Sequence, residues 1–175
     1  KIKLIDVQPH RPIMDIDLLK KYITKKTKAI VPIHLNGMAV DIKKIKKIIG
    51  YRKISIIEDA AQALYSKSNK KFIGTEGTIG CFSFSVSKLI TTGQGGFCCT
   101  NNKKIHQKIK LLKTHGMSNI FKSSWDKFGF NFRYSDLLAT LAIHQIDNIK
   151  ATVKRLIYNK IAEKSRILMN WLDEQ

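Results

Sequence analysis

Apolar runs and amphipathic segments alternate along the first third of the chain. Two segments have the apolar spacing of helices, and two are short continuous apolar runs typical of buried strands. The predicted helices cover residues 17–26 and 42–49, and the predicted strands cover residues 29–33 and 54–59. Asp17 and Asp41 are suited to cap the two helices, and Gly50 stands where a glycine commonly ends a helix. This alternation predicts an α/β layer structure.

The rest of the chain adds two more predicted strands and then mostly helix. The strands cover residues 81–87 and 95–100, and residues 88–94 join them. Asn101 is the predicted cap of a helix over residues 103–113, and Ser135 is the predicted cap of a helical region that runs nearly to the end. That region is periodic for about forty residues, longer than most globular helices, so we expect a break near Asn148.

The last predicted helix has an apolar face with little of the remaining sequence to cover it. The face consists of Leu156, Ile157, Ile161, Ile167, Leu168 and Trp171. We expect either that a partner subunit covers this face or that the chain is the middle of a longer one.

Length and composition narrow the class of protein. A chain of 175 residues corresponds to one domain, and 43% hydrophobic residues are enough to fill a core, which excludes a wholly disordered chain. No apolar run is long enough to predict a membrane-spanning helix, and the first ten residues do not resemble a signal peptide. The three cysteines have neither a disulfide framework nor zinc-type spacing, which favours a reducing, cytoplasmic setting.

The net charge of +19 has two interpretations. The surplus is mostly lysine, whereas nucleic-acid sites depend on arginine for bidentate and stacking contacts. The lysines at 43, 44, 46 and 47 alternate with isoleucines, as on the solvated face of an amphipathic helix. A solvated basic surface is therefore favoured, and a nucleic-acid-binding module stays open as an alternative function.

A pair of acids ends the strand predicted over residues 54–59. The carboxyl end of a buried strand is where open α/β sheets place ligand contacts, which makes Asp59 a candidate. Gln62, three residues later, offers both a donor and an acceptor. The structural alternative is that Glu58 and Asp59 only end a strand and cap the next turn. The segment by itself favours that alternative.

Lys88 differs from the surface lysines because small and apolar residues precede it and Thr91, Thr92 and glycines follow it. Burial disfavours an ammonium ion, and the neutral amine is the form that attacks an aldehyde. Ser83 could donate a hydrogen bond to a phosphate. A strand-end acid and a buried lysine are the two protein groups that pyridoxal 5'-phosphate (PLP) enzymes need, an anion for the pyridinium nitrogen and an amine for the aldehyde.

Four segments together resemble the DegT/DnrJ/StrS family of PLP-dependent sugar-nucleotide aminotransferases. They are residues 28–42, 56–63, 74–96 and 129–146. The resemblance implies an α/β/α sandwich, the large domain of PLP-dependent transferase fold type I (aspartate aminotransferase-like). It also implies transamination of a nucleotide-linked ketosugar with glutamate as donor, in glycan or surface-polysaccharide biosynthesis.

The resemblance assigns roles to five residues. Lys88 would bond to the cofactor aldehyde and then move a proton between the cofactor and substrate carbons. Asp59 would hold the pyridinium nitrogen protonated, Gln62 would lie by the ring, and Ser83 would bind the phosphate. Asn131 would reach the phosphate of the neighbouring subunit of a homodimer, or else fix a loop before Ser135. His34 and Asn36 match a segment near the active site and receive no role.

The resemblance has two further implications, one for the type of reaction and one for how much of a family member this chain represents. Related sugar 3-dehydratases have histidine at the position of Lys88, so lysine favours transamination. Residues 1–148 would be the central part of the cofactor-binding domain, and residues 149–175 the start of the long helix between domains. Family members also have an N-terminal phosphate-binding loop and a small C-terminal domain, which we expect to be absent. A truncated, catalytically silent fragment is therefore an alternative.

Overall fold

The computed structural model describes residues 1–119, 121, 125 and 127–173, and it describes no side chain at 167, 168 or 170–173. In chain order its elements are β1 (Val7–Gln8), β2 (Arg11–Met14), α1 (Ile16–Tyr22), β3 (Ala29–Ile30), a 3-10 turn (Leu35–Gly37), α2 (Ile42–Ile49), β4 (Ser55–Asp59), β5 (Lys67–Ser68), β6 (Lys71–Phe72), β7 (Ile79–Ser83), β8 (Gly96–Cys99), α3 (Lys103–Leu112), α4 (Asp136–Asp147) and α5 (Ile149–Asp173).

A mixed sheet with the strand order β3-β4-β7-β8 positions the candidate residues. Strand β4 runs parallel to both β3 and β7, whereas β8 returns antiparallel to β7. In the register of β4 and β7, Asp59 lies opposite Cys81. Each of the four predicted strands overlaps one strand of this sheet, and the α/β class is confirmed. The strand predicted over residues 81–87 is displaced, because β7 begins at Ile79 and ends at Ser83. The two small hairpins β1-β2 and β5-β6 lie outside the sheet.

The first helices and strands enclose the larger hydrophobic core. Ile42, Ile45 and Ile49 recur on one face of α2 and are buried, while the lysines between them are exposed. Each fully buried isoleucine contributes about 1.5–3 kcal/mol relative to an exposed one. The rest of this core consists of Ile13, Ile16, Leu19, Ile30, Val40 and Ile56.

Several helix boundaries agree with the sequence pattern. The Asp41 carboxylate accepts a hydrogen bond from the backbone N–H of Lys44 (2.9 Å), and Gly50 ends α2 with a φ of 58°. Ser135 caps α4 as expected. The predicted break near Asn148 is confirmed, because α4 ends at Asp147 and α5 begins at Ile149.

Two predicted caps are wrong by one or two residues. Asp15, not Asp17, caps α1, and its carboxylate accepts from the N–H of Asp17 (2.9 Å). Asp17 instead lies in the first turn, where a negative charge is favourable near the helix N-terminus. Asn102 rather than Asn101 caps α3.

The strand predicted over residues 29–33 is shorter than expected. Only Ala29–Ile30 pairs continuously with β4, and a single bridge from Ile33 to Asp59 resumes the pairing. Pro32 explains the interruption because it lacks a backbone N–H to donate. Its carbonyl still accepts from the N–H of Asp59 (2.9 Å).

The described part of α5 leaves apolar side chains exposed, as the sequence pattern indicates. Leu156, Ile157 and Ile161 are each half or more exposed. The side chains of Ile167, Leu168 and Trp171, which belong to the same predicted face, lie outside the described part, as do residues 174 and 175. Among the described helices, none is long and apolar enough to cross a membrane.

Candidate functional site

Asp59 and Ser83 end the two parallel strands at the centre of the sheet. Asp59 is the last residue of β4 and Ser83 the last of β7, so both lie at the carboxyl edge. Both side chains are half-buried. One Asp59 oxygen accepts from the N–H of Ala61 (3.1 Å), so this carboxylate does cap the next turn. No ion-pair partner for Asp59 occurs among the described residues, which leaves its charge available to a cationic ligand atom.

Gln62 lies in the turn that follows β4. Its side chain is exposed, and its carbonyl oxygen accepts from the backbone N–H of Asn36 (2.9 Å). Asn36 has a left-handed backbone (φ 51°), a conformation that asparagine tolerates. The contact joins the segment after β3 to the turn after β4, so Gln62 lies beside the strand end that carries Asp59.

Lys88 lies in the turn that follows β7, and its backbone N–H donates to the carbonyl of Ser85 (3.0 Å). The Ser83 hydroxyl accepts from the N–H of Ser85 (3.2 Å) and therefore also shapes this turn. The sequence predicts a buried lysine, but the Lys88 side chain is only half-buried, because Val86 and Ser87 of the same turn are exposed at the edge of the sheet. Its ammonium group has no hydrogen-bond or ion-pair partner within the described part of the chain.

Helix α4 holds the end of the loop that carries Lys88. The Gln145 carbonyl oxygen accepts from the N–H of Thr91 (3.0 Å), and its amide nitrogen donates to the Thr91 carbonyl (2.7 Å). The Tyr134 hydroxyl donates to that of Thr92 (2.6 Å), which donates to the carbonyl of Gln94 (2.6 Å). The sequence pattern does not predict these contacts. The available signal was one amide side chain in an otherwise mostly apolar helical segment.

The contacts of Asn131 within the described residues are with Thr114 and Arg133 and not with the other four candidate residues. Its backbone forms a bridge with Thr114, and its exposed side-chain oxygen accepts from Nε of Arg133 (3.1 Å). This geometry agrees with the loop-fixing interpretation of Asn131. Its reach towards a second subunit stays a prediction.

Glu58 is a buried functional group that the sequence analysis treated only as a strand end. Its side chain is 1% exposed, on the same face of β4 as buried Ile56. The carboxylate accepts from the N–H groups of Gly74 (3.1 Å), Glu76 (2.8 Å) and Gly77, all in the loop that leads into β7. The period-two pattern of β4 places residue 58 on the buried face, and this was the missed signal.

The fourth donor to Glu58 is His34, also 1% exposed. Its Nδ1 accepts from the N–H of Val40 (3.1 Å), so its Nε2 carries the proton and donates to Glu58 (3.0 Å). Burial by itself raises the pKa of Glu58. The hydrogen bonds from His34, Gly77 and Glu76 outweigh it, and the pKa of Glu58 lies below its ordinary value of 4.5. His34 thus has a structural role.

The sheet edge therefore presents an unpaired carboxylate, a hydroxyl and a free amine on two neighbouring strand ends. A ligand with a protonatable ring nitrogen, an aldehyde and a phosphate fits this donor set, because each group finds a chemical counterpart. Two cavities of about 100 and 420 Å³ lie elsewhere, against Glu58 and against Ile54 respectively. In the described chain the candidate site is an open edge.

The comparison with protein families gives one match, to the model described as the DegT/DnrJ/EryC1/StrS aminotransferase family, over residues 1–164. Among curated proteins, the GDP-perosamine synthase of Escherichia coli O157:H7 is 34% identical over 143 residues, which are 81% of this chain and 39% of that protein.

Solved structures give the same result. The Helicobacter pylori aminotransferase PseC, involved in the biosynthesis of pseudoaminic acid, matches with a TM-score of 0.79 and 29% identity, over 85% of this chain and 40% of that chain. The Escherichia coli GDP-4-keto-6-deoxy-D-mannose-3-dehydratase with bound hydrated PLP matches with a TM-score of 0.75 and 29% identity, over 83% and 42%. The chain spans about two fifths of the length of these relatives.

We predict that Glu58→Gln lowers the free energy of unfolding by roughly 2–4 kcal/mol at neutral pH, because the amide cannot accept the hydrogen bonds that the ionised carboxylate accepts. Because the pKa of Glu58 is lower in the folded than in the unfolded state, its carboxylate stabilises the fold at any pH above the unfolded-state pKa. This stabilisation is lost as the pH falls towards the folded-state pKa. Below about pH 5, urea unfolding should therefore show a weaker pH dependence in the variant than in the unsubstituted chain.

The matched control for that experiment is Glu76→Gln. Glu76 lies on the same loop, and its side-chain contact within the described residues is an ion pair (3.1 Å) with Lys71, whose side chain is 58% exposed. This control substitution should lower the free energy of unfolding by less than about 1 kcal/mol. Two results would contradict the assigned role of Glu58: equal losses of unfolding free energy in the two variants, or a pH dependence of unfolding below about pH 5 that is unchanged in Glu58→Gln.

We predict that Gln145→Leu loosens the lysine loop without unfolding the chain. Loss of the two hydrogen bonds to Thr91 should speed amide hydrogen exchange in residues 88–95 by roughly tenfold or more. Gln145→Glu keeps the acceptor for the Thr91 N–H and should give a smaller increase. The control is Gln107→Leu, at an exposed position on α3. If amide exchange in residues 88–95 speeds up equally in that variant, the hydrogen bonds of Gln145 do not hold the loop.

Proposed function

Because the chain belongs to the DegT/DnrJ/EryC1/StrS aminotransferase family, we propose that it supplies the cofactor-bonding part of a PLP-dependent sugar-nucleotide aminotransferase. The fold of this family is PLP-dependent transferase fold type I, and this chain forms part of a domain with that fold. The observation that carries the proposal is that Asp59 ends β4, that Lys88 lies in the turn after the neighbouring strand β7, and that neither side chain is paired with an opposite charge in the described structure.

Lys88 is the proposed catalytic residue. PLP, when bound, supplies an aldehyde and an aromatic ring that accepts the electrons released at the substrate carbon. The Lys88 amine, free of protein partners in the described structure, can bond to that aldehyde. Once a donor amine displaces it, the same amine can take a proton from one carbon and return it to another. Its position on a turn held by Ser85 and Thr91 lets the side chain move while the backbone stays fixed.

Asp59, Gln62 and Ser83 are the proposed binding residues. The Asp59 carboxylate keeps a ring nitrogen protonated, because an ion pair at a half-buried site favours the charged form. The Ser83 hydroxyl can turn from Ser85 to donate to a phosphate oxygen. Gln62, already bonded to Asn36, keeps its amide nitrogen free to donate to the ring oxygen.

Asn131 and the domain boundary extend the proposal beyond one chain. We place residues 1–148 in the cofactor-binding domain and residues 149–175 at the start of the helix between domains. The enzyme would act as a homodimer in which the exposed Asn131 side chain reaches the phosphate of the second subunit. The exposed apolar residues of α5 support a partner surface there.

The proposed substrates are a nucleotide-linked ketosugar and glutamate. The relatives include GDP-perosamine synthases and a UDP-linked amino-sugar transaminase of Helicobacter pylori, which supports a role in glycan or surface-polysaccharide biosynthesis. The three free cysteines support a cytoplasmic location. The lysines of α2 lie exposed opposite its buried isoleucines, which supports the solvated-surface interpretation of the charge.

A catalytically silent fragment is the second candidate function. The open edge around Asp59 and the coverage of about two fifths of the relatives favour it. Among the described residues, the Ser83 hydroxyl is the proposed phosphate donor at this sheet edge, whereas backbone N–H groups at a helix N-terminus are a common phosphate site. The two candidates differ in whether PLP selects Lys88 from the other lysines.

We predict that PLP followed by borohydride labels Lys88 selectively. The purified chain is mixed with limiting PLP and reduced, and peptide mass mapping then locates the phosphopyridoxyl group. Selectivity is expected because Asp59 and Ser83 retain the cofactor beside this amine, whereas surface lysines offer no second contact.

Two variants sharpen this test. Lys88→Ala should lose the selective label, and Lys108→Ala, at an exposed position of α3, should retain it. Labelling scattered over many lysines, equal in the two variants, contradicts the aminotransferase site and supports the silent fragment.

A further inference from the structure

Cys81 and Cys98 face each other across β7 and β8. They are register partners in the antiparallel pair, and their sulfur atoms lie 3.8 Å apart. Side chains of directly opposed residues lie on the same face of a sheet. Asp59 is the register partner of Cys81 on the other side, so the three side chains form one row across β4, β7 and β8.

The backbone geometry of the pair suits a covalent bond. Phe84 and Gly95 lie opposite each other, one step beyond the last residues paired in β7 and β8. The Phe84 N–H donates to the Gly95 carbonyl (3.0 Å), so these two residues form a hydrogen-bonded pair. Hydrogen-bonded and non-hydrogen-bonded pairs alternate along an antiparallel ladder, so Cys81 and Cys98 form a non-hydrogen-bonded pair. Such pairs have Cα atoms about 4.5 Å apart, within the range that a disulfide spans.

The two thiols differ in access. Cys98 is exposed, whereas Cys81 is half-buried between the neighbouring strands. Burial raises the pKa of Cys81 to about 12, with further contributions from Cys98 and Asp59. Cys98 therefore meets a dissolved reagent first, and Cys81 lies behind it at contact distance.

We propose that Cys81 and Cys98 form a site of reversible disulfide modification that takes small-molecule disulfides of the glutathione type. The Cys98 thiolate attacks one sulfur of the reagent, which forms a mixed disulfide and releases one glutathione thiolate. The deprotonated Cys81 sulfur then attacks Sγ of Cys98 and releases the second glutathione. The pair loses two electrons and two protons, and one glutathione disulfide becomes two glutathiones.

Cys99 provides an internal comparison. It follows Cys98 in the strand and so points to the opposite face, where its register partner is Gly80, which has no side chain. Its sulfur lies 3.2 Å from the carbonyl oxygen of Gly74. Cys99 therefore has no thiol partner on its own face of β7.

The test oxidises the purified chain with glutathione disulfide and counts thiols. We expect two of the three thiols to disappear, with no glutathione retained, and a peptide map without reductant that joins the peptides of Cys81 and Cys98. Added reduced glutathione should restore both thiols. The readout requires no PLP, so its failure is distinguishable from failure of the proposed function.

Two variants complete the test. Cys99→Ser should form the disulfide as the unsubstituted chain does. Cys98→Ser should form no disulfide within the chain and leave Cys81 unmodified, and its exposed position makes it compatible with folding. A mixed disulfide that persists on Cys98, a bond between Cys98 and Cys99, or crosslinks only between chains would each overturn the proposal.

Discussion

The site depends on one buried carboxylate that fixes strand β7 beside strand β4. Glu58 lies on β4 and accepts three backbone N–H groups from the loop that leads into β7, together with the proton of His34. A buried charge is tolerated only when it is fully hydrogen-bonded, so this loop has little freedom to slide. Gly80 on β7 faces the same loop, and a Cβ there would collide with the carbonyl of Gly74. The register that places Asp59 beside Cys81 follows from these contacts.

Adjacent residues of one strand therefore divide the stabilising contacts from the proposed ligand contact. Side chains alternate along β4, so Glu58 points into the packed interior and Asp59 to the opposite face. The inward acid has its hydrogen bonds satisfied by the protein, whereas the outward acid keeps a charge that a ligand can neutralise. The loop that carries Lys88 is held by α4, through the hydrogen bonds between Gln145 and Thr91. Each half of the site thus has its own anchor.

The sequence predicts those features that depend on residues close together in the chain. The order of helices and strands, the cap at Asp41 and the break near Asn148 follow from local spacing, and the α/β class follows from their alternation. The positions of Asp59 at the end of one strand and of Lys88 after another also follow from local pattern.

What the sequence misses depends on distant contacts. Glu58 is separated from its partners by 16 to 24 residues, and Gln145 from Thr91 by 54, so no local pattern joins them. The expected burial of Lys88 is incomplete because it depends on how the loop meets the sheet edge. Cap positions shift by a residue or two because Asp, Asn and Ser are all good caps and several occur together.

Circular dichroism of bound PLP directly tests whether the sheet edge that carries Asp59 and Lys88 holds the cofactor. PLP has no chirality of its own, so a visible dichroic band appears only when an asymmetric site holds the ring in one orientation. We expect a band that saturates with PLP, disappears in Lys88→Ala and weakens in Asp59→Asn. Absorbance without a dichroic band, or a band unchanged in Lys88→Ala, would show that this sheet edge does not hold the cofactor.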